Sequence, residues 1–417
     1  MKLSQIAWRN IFRNRRRSLL SVLALAIAAM SLVLLFGLID WMKDDFRTNL
    51  FRFYTGQIRI RDREFDTYEH LSPLHLKVEH ALDLVEKIEQ IPGVRAAAAR
   101  IGFPAMVLEE EGTFLGVYGR AMDMEQERKV ANLDEYLLTG EFPKAGSREI
   151  LLTPSLAEEL GKQVGDTLTL MARTATYGTN AMTFTITGLV RFPFSSLDRA
   201  FFIPLDTGQR LLRMRSQDGS TFDAASEVVV LLEEGVKERD VLPHIQSLLA
   251  TGSYGDVEAR PWQELPTLYS VIRITEITYN VIGLLFLLLG STVIINTTMM
   301  VIYERMREIG TMSAMGMEGG QLVRLFFLEA LYLALIGAAV GVGLGALFAY
   351  PLGIYGIDYT AATQDIQWPV SSIYYCTPTW RTYLFVFLFS VVVGAVTSFI
   401  PSRRAAKLNP IQALRTI

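Results

Sequence analysis

The sequence is poor in cysteine, with Cys376 alone among 417 residues. An internal disulfide and a cysteine-based zinc site each require at least two thiols, so both are excluded. We interpret Cys376 as a packed thiol, with pairing to a cysteine of another chain as the alternative. The nucleotide-binding sequence Gly-x-x-x-x-Gly-Lys-Ser/Thr is also missing, because Gly161-Lys162-Gln163 does not complete it. No His-Glu-x-x-His occurs, and His70, His75 and His80 recur every five residues, a spacing that spreads them around a helix. We therefore expect a non-catalytic chain without a metal or cofactor of its own.

Charge is absent from four long stretches. Asp, Glu, Lys and Arg do not occur in 18–39, 277–303, 330–357 and 382–402. Each stretch reaches the roughly 20 residues that a helix needs to cross a bilayer. The alternative of four buried helices in a soluble core conflicts with the positive mean hydropathy of +0.27 and with a mean globular helix of about 11–12 residues. The first stretch is too long for a signal peptide and is expected to remain uncleaved. The sequence predicts a membrane α-helical protein with four transmembrane helices, at 18–40, 277–303, 325–350 and 381–402.

Basic residues orient the predicted helices. They are concentrated in residues 1–17, in the connection 304–324 and in the tail 403–417, whereas the connection 351–380 has no Lys or Arg. The positive-inside rule makes both termini cytoplasmic and places 41–273 and 351–380 outside. Residues 40–276 hold 26 basic and 37 acidic residues, a net charge of −11, and the rest of the chain carries +8. An acidic outer domain disfavours nucleic acid as a partner.

Residues 1–17 have the pattern of an amphipathic helix. Apolar residues alternate at helical spacing with Arg9, Arg13, Arg15, Arg16 and Arg17. Such a helix can lie on the inner leaflet with its arginines at anionic headgroups, which makes membrane lipid an expected partner. The same arginines are also explained by the positive-inside rule alone.

The outer segment, 41–273, is too long for a loop and is predicted to fold as a domain. Its strand and helix patterns form two β-α-β halves, at 57–61, 81–90 and 94–107, and at 227–232, 236–250 and 256–259, with a further strand at 114–119. We expect these halves, within 41–146 and 215–273, to pair as an α+β sandwich. Between them, 147–214 predicts a β-rich insert, with strands at 150–152, 167–171, 183–187 and 200–203 and a helix at 155–160.

The inner connection 304–324 mixes acids and arginines over one helical length. Its candidate functional residues are Glu304, Arg305, Arg307, Glu308, Gly310, Met315 and Gly316. One interpretation is a short charged helix that docks on a cytoplasmic partner. The other is a solvated connector stabilised by its own ion pairs, and the residues alone do not separate the two.

The predicted membrane helices contain small and polar residues. Gly337, Gly341 and Gly345 recur every four residues and form a face that permits close backbone approach to another helix. Glu329 lies near the inner boundary, where a carboxylate is costly unless it is paired, and Arg324 is a candidate partner. Asn296 begins a polar triplet in the second helix. Routine bundle packing is the alternative explanation for each.

Several motifs resemble one family of membrane proteins. They include Glu304-Arg305-Met306-Arg307-Glu308-Ile309-Gly310, Leu328-Glu329-Ala330, the tail Pro401-Ser402-Arg403-Arg404-Ala405-Ala406-Lys407-Leu408-Asn409-Pro410, and Ala7-Trp8-Arg9-Asn10-Ile11-Phe12-Arg13-Asn14. In the outer domain, Glu149-Ile150-Leu151-Leu152-Thr153, Val164-Gly165-Asp166 and Phe184-Thr185-Ile186-Thr187-Gly188 are similar to the family's periplasmic core. Together they are similar to the FtsX-like permeases of MacB/LolC type, the membrane subunits of type VII ABC transporters, and most of all to the lipoprotein-releasing permeases.

The resemblance implies that this chain is a membrane subunit that works with a separate ATPase subunit. The segment 304–316 would be the coupling helix that seats on a separate ATPase subunit, present in two copies, which binds ATP and magnesium. A second permease chain, identical or homologous, would complete a dimer in the bacterial inner membrane. The outer domain would consist of a porter-like part and a Sabre-like insert, driven by ATP through mechanotransmission.

The resemblance also implies a cargo, lipoproteins released from the inner membrane. The alternatives are a MacB-like exporter of drugs, peptides or toxins, an FtsX-like regulator of cell-wall hydrolases, and a receptor that signals through a partner. The family's lipoprotein-releasing members project a proline-bearing hook toward a periplasmic carrier. The corresponding segment here, 172–182, is short and lacks proline, so a carrier or adaptor stays an open alternative.

Overall fold

The computed structural model describes residues 3–13, 15–108, 114–193, 197–215, 222–304, 312, 316–359 and 371–405. It divides into two units. The first, the membrane unit, comprises residues 1–44, 274–359 and 373–417, and the second, the outer unit, comprises residues 45–273 and 360–372. Two of the described helices, Arg15–Leu50 and Pro266–Glu304, begin in one unit and end in the other along the chain.

The described helices are α1 Leu3–Arg13, α2 Arg15–Leu50, α3 Phe65–Tyr68, α4 Ala81–Glu89, α5 Met124–Ala131, α6 Pro154–Glu159, α7 Leu205–Leu212, α8 Glu238–Thr251, α9 Pro266–Glu304, α10 Gly319–Tyr355 and α11 Trp380–Ala405. The described strands are β1 Ile58–Asp62, β2 Val94–Leu108, β3 Phe114–Met122, β4 Leu137–Gly140, β5 Glu149–Leu152, β6 Thr167–Arg173, β7 Thr179–Val190, β8 Ala200–Pro204, β9 Glu227–Leu232, β10 Val257–Pro261, β11 Ile357–Asp358 and β12 Ile373–Tyr374.

Three helical spans among the described residues are long and apolar enough to cross a membrane. They are Ser18–Thr55, Gly319–Tyr355 and Trp380–Thr397. The stretch 277–303, which the sequence predicts as a further span, lies within α9, a continuous helix of 39 residues.

The helices are longer than the stretches that predict them. Helix α2 continues beyond residue 40, the expected outer end of the first span, through charged residues to Leu50. Helix α10 likewise continues beyond residue 350, the expected outer end of the third span, through Pro351 to Tyr355, and it ends at Gly356, which has φ +66°. Charged side chains and one proline in a last turn do not break a helix, whereas a glycine at positive φ ends it.

Helix α1 packs against α10. Ala7 and Ile11 are buried on one face, and the Trp8 ring meets Tyr332 edge to face at a centroid distance of 5.5 Å. The opposite face carries Arg9 and Arg13, which are exposed. The predicted amphipathic helix is therefore present, but its apolar face is covered by α10 at these residues.

The outer unit contains a mixed sheet whose first part is antiparallel. The order β10-β1-β9-β2 places β9 between β1 and β2, and β1 between β9 and β10. Helix α4 connects β1 to β2, and α8 connects β9 to β10. This is the arrangement of two interleaved split β-α-β units. Buried side chains of α4, Leu84 and Ile88, join Ile58 and Ile60 of β1 in the core.

The second part of the sheet closes on itself. Strand β2 continues beyond its pairing with β9 and pairs with both β3 and β6, and the sequence of partners β2-β3-β8-β5-β7-β6-β2 forms a ring. Phe103, Leu170, Phe184 and Phe201 are fully buried members of its core. The region 147–214 therefore contributes four of the six ring strands, and the preceding half of the domain contributes the other two.

Candidate functional site

The glycines of α10 lie against α2. A Cβ added at Gly341 would lie 2.5 Å from the carbonyl oxygen of Ala26 and 2.7 Å from the Cβ of Ala29. At Gly337 the nearest atom would be the Leu25 Cβ, and at Gly345 the Val33 Cβ, each at 2.7 Å. Two backbones can approach this closely only where side chains are absent. The helix that these glycines approach is thus α2 of the same chain.

Asp40 ties the outer end of the membrane part of α2 to the start of α11. Its carboxylate accepts from the backbone N–H and the hydroxyl of Thr379, both at 3.4 Å, and from the hydroxyl of Thr382. Thr379 caps the first turn of α11, accepting from the N–H of Thr382 at 3.3 Å. An acid at a helix N-terminus is stabilised by the helix dipole as well as by its hydrogen bonds.

Aromatic side chains gather at the same end of these helices. Trp41 contacts Tyr374 and Tyr375 at centroid distances of 5.4 and 5.6 Å, and Tyr359 contacts Tyr374 at 5.0 Å. Trp380 is 69% exposed. Tyr and Trp collect at membrane–water boundaries because their rings are apolar and their tips polar, so this belt favours an outer membrane boundary near residue 41.

Cys376 is buried beside α2. Its thiol donates to the carbonyl oxygen of Leu34 at 3.4 Å, and a Cβ at Gly37 would lie only 2.7 Å from its sulfur. Burial, with a smaller effect from Asp40, raises the pKa of this thiol to about 11. A thiol that stays protonated at neutral pH is a poor nucleophile, which fits the interpretation of a packed residue.

Most of the predicted coupling residues lie outside the described part of the chain. These are Arg305, Arg307, Glu308, Gly310 and Met315. Glu304 is the last residue of α9. Gly316 has φ +93°, and the N–H of Met317 donates to the carbonyl oxygen of Met312 at 3.2 Å.

The remaining predicted residues lie on three different helices. Glu329 is buried on α10, whereas Asn296 is exposed on α9. Arg15 and Arg16 are exposed at the start of α2, and the side chain of Arg17 lies outside the described residues.

Sequence reasoning missed a network of ion pairs in the outer unit. On β1, Arg59 pairs with Asp66 at 2.7 Å, and Arg61 pairs with Glu69 at 2.7 Å and with Glu227 at 2.6 Å. Burial alone would raise the pKa of Glu227, but Arg61, Arg59 and other arginines outweigh it and hold the pKa below its usual value. The alternation Arg59-Ile60-Arg61 was a signal that one face of β1 is charged, but the acids come from distant segments.

Two family models match the chain. The model of the MacB-like periplasmic core domain matches residues 18–248, which is more than half of the chain. The model of the FtsX-like permease C-terminal domain matches residues 280–410. The two matches together include parts of both the membrane unit and the outer unit.

Similar proteins of known sequence span nearly the whole chain. An uncharacterized ABC transporter permease of Methanocaldococcus jannaschii is 23% identical, over 98% of this chain and 96% of its own. The lipoprotein-releasing system transmembrane protein LolC of Xylella fastidiosa is 24% identical, over 86% of this chain and 87% of its own. The macrolide export ATP-binding/permease protein MacB 1 of Yersinia pestis is 22% identical, over 98% of this chain and 60% of its own length.

Proposed function

Because the chain belongs to the family of FtsX-like and MacB-like ABC transporter permeases, we propose that it is the transmembrane subunit of a transporter whose ATPase is a separate protein. Two ATPase copies bind ATP and magnesium, and a second permease chain, identical or homologous, completes the complex. It lies in a bacterial inner membrane, with four spans, both termini in the cytoplasm and the outer unit in the periplasm.

The observation that carries this proposal is the continuity of α2. This helix has 36 residues without a break and is shared by the two units. At 1.5 Å per residue it is about 54 Å long, against about 30 Å for the hydrocarbon core of a bilayer. A single helix of this length can pass a displacement from the inner face to the outer domain. Helix α9, with 39 residues, offers a second such connection.

The segment 304–316 is the proposed contact with the ATPase. It follows α9 directly, so a push from the ATPase would reach a helix that runs on into the outer unit. The charged residues Glu304, Arg305, Arg307 and Glu308 supply polar contacts for a docking surface, and Gly310 and Gly316 allow the chain to turn. ATP closure of the partner subunits then becomes movement of the outer domain.

Lipoprotein release is the cargo function that we propose first. The similarity to LolC covers most of both chains, and this chain, like a subunit of a multi-protein system, lacks a nucleotide-binding motif of its own. Movement of the outer domain would lift an acylated protein out of the outer leaflet.

An export function is the alternative that one observation favours. Strands β6 and β7 are joined by a tight turn, in which the N–H of Thr174 donates to the carbonyl oxygen of Gly178 at 2.8 Å and Tyr177 has φ +61°. A five-residue turn presents no extended arm for a soluble carrier. A system that passes cargo to a duct needs no such arm, which is consistent with the similarity to the macrolide export protein.

Two variants of the inner connection test the coupling role. Glu308→Arg and Gly310→Pro, made separately, are expected to lower the amount of ATPase that co-purifies with the chain, or its activity in the complex. Thr311→Ser, a conservative change in the same segment, is the matched control. Full binding and full activity of both variants would show that 304–316 does not couple to the ATPase.

Reconstituted complexes test the cargo. Addition of a triacylated lipoprotein should raise the ATPase rate, and ATP should release the bound lipoprotein from the proteoliposome. The same protein without its acyl chains is the control. If acylation makes no difference while an apolar drug or peptide stimulates the ATPase, the export function replaces lipoprotein release.

A further inference from the structure

The outer end of α2 finishes in an unusual turn. Residues Phe51–Thr55 continue α2 as one π-helical turn, and Gly56 ends it by donating its N–H to the carbonyl oxygen of Phe51 at 3.0 Å. The last carbonyls of a helix have no partner within the helix. Here the carbonyl oxygens of Arg52, Phe53 and Tyr54 accept hydrogen bonds from donors outside the helix.

Two arginines of the sheet supply those bonds. Arg100, on β2, donates to the carbonyl oxygen of Arg52 at 2.6 Å and to that of Tyr54 at 3.4 Å. Arg120, on β3, donates to the carbonyl oxygen of Phe53. Since Gly102 of β2 pairs with Arg120, and alternate residues of a strand share a face, both guanidinium groups reach the helix from one face of the sheet.

Arg100 is itself held in place. Glu127 of α5 accepts from its Nε at 2.5 Å and from its Nη2 at 2.8 Å, a two-point ion pair. Arg100 is 1% exposed and Glu127 is 2% exposed. A planar guanidinium paired at two points keeps a fixed direction. Its remaining donor positions therefore stay aimed at the helix end.

A purely structural ion pair is the simpler explanation. A buried pair often adds little net stability compared with apolar residues of similar size. Here, however, Arg100 of the pair also donates hydrogen bonds to the carbonyl oxygens of the helix end. Both arginines cover consecutive carbonyls of one helix end, where the helix dipole is negative, and that helix is the one shared with the membrane unit.

We propose that Arg100, Arg120 and Glu127 form a helix-end clamp, which fastens the outer end of the first membrane helix to strands β2 and β3 and so passes its displacement to the outer sheet. The clamp rests on the proposed coupling function. Its residues are positioning residues, because they act on the helix and not on a cargo.

Hydrogen exchange of the full chain in nanodiscs tests the clamp without any partner. Arg120→Gln removes the hydrogen bond from Arg120 to the helix end. The double variant Arg100→Met with Glu127→Leu removes the hydrogen bonds from Arg100 without leaving a buried charge. Each lost hydrogen bond should speed exchange of amides 52–56 by about fivefold, while amides 228–230 of β9 keep their protection. Arg120→Lys should restore part of the protection. Arg95→Gln, at an exposed position of β2, is the matched control and should change nothing.

Two results would overturn the clamp. Unchanged exchange at 52–56 in the folded variants would mean that packing of Phe51 and Phe53 holds the helix end by itself. Faster exchange throughout the sheet would mean that the three residues support the domain in general and do not form a joint.

A second measurement connects the clamp to coupling. With the ATPase present, ATP should change the exchange pattern of the outer unit in the wild type. In the clamp variants the ATPase should keep its basal rate, but this ATP-driven change should be lost. An unaltered ATP-driven change in those variants would refute the clamp as a transmission joint. Absence of the change in the wild type would instead contradict the proposed function, while exchange at 52–56 would still decide whether the clamp exists.

Discussion

The contact between α10 and α2 leads to a prediction with a control two residues away. Gly341→Ala would place a methyl group 2.5 Å from the carbonyl oxygen of Ala26 and 2.7 Å from the Cβ of Ala29. Ordinary contacts between such atoms are about 3.5–4.0 Å, so the helices must separate by about 1 Å. Gly343 faces open space, with no atom within 4 Å of an added Cβ.

The two substitutions should change the helix propensity by the same amount and differ only in packing. In each, alanine should favour the helix by about 0.5–1 kcal/mol over glycine. Overpacking costs about 1–3 kcal/mol where neighbours cannot move away. We therefore expect Gly341→Ala to be less stable than Gly343→Ala by about 1–3 kcal/mol, and Gly343→Ala to equal or exceed the wild type.

Thermal unfolding in nanodiscs, followed by circular dichroism, measures this difference. The expected order of midpoints is Gly341→Ala below wild type, and wild type at or below Gly343→Ala. Equal midpoints for the two variants would refute the argument, because they would show that α10 and α2 do not approach closely at Gly341.

Three further predictions concern residues outside that contact. Gly56→Ala should lower the unfolding midpoint strongly, because Gly56 has φ +67° and an added Cβ would lie 2.7 Å from the carbonyl oxygen of Val230; Gly235→Ala, at φ +86° with open space around it, separates the clash from the backbone strain. Cys376, whose pKa is raised to about 11, should react with maleimide at pH 7.5 only after denaturation, and rapid labelling of the folded protein would contradict its burial. Glu227 has a lowered pKa, so its ion pairs stabilise the fold above the ordinary glutamate pKa, and this contribution is lost as pH falls through the lower folded-state value. Glu227→Gln should lower the unfolding midpoint at pH 7, and the difference from the wild type should shrink as the pH falls below the ordinary glutamate pKa.

Much of the outer domain could be predicted because its signals are local. Strand β9, Glu227–Leu232, is an apolar run of strand-forming residues and was predicted with the bounds that the structure has. Helices α4 and α8 show apolar residues at helical spacing. Helix α5 was missed because few of its residues are apolar, although Asp123 caps it by accepting from the N–H groups of Glu125 and Gln126.

Other features depend on pairs that no local pattern reveals. Strand β3 pairs in parallel with β8, about 80 residues later along the chain. The sequence of neither strand indicates which strand is its partner. The clamp joins Arg100 to the backbone carbonyl of residue 52. Every residue has a backbone carbonyl, so the sequence does not indicate which one an arginine will bind. The glycine spacing predicted a close helix contact, but a repeat of small residues carries no information on whether the neighbouring helix is in the same chain.

The closed ring of strands restricts how this protein can be recombined with its relatives. Strand β2, with 15 residues, pairs with β9 in its first half and with β3 and β6 in its second. A chimaera that exchanges only residues 147–214 would combine four ring strands from one parent with two from the other. Every cross-strand pair between β2 and β6 and between β3 and β8 would then be new. A chimaera is therefore expected to fold as stably as its parents only when the exchanged block also carries residues 102–122.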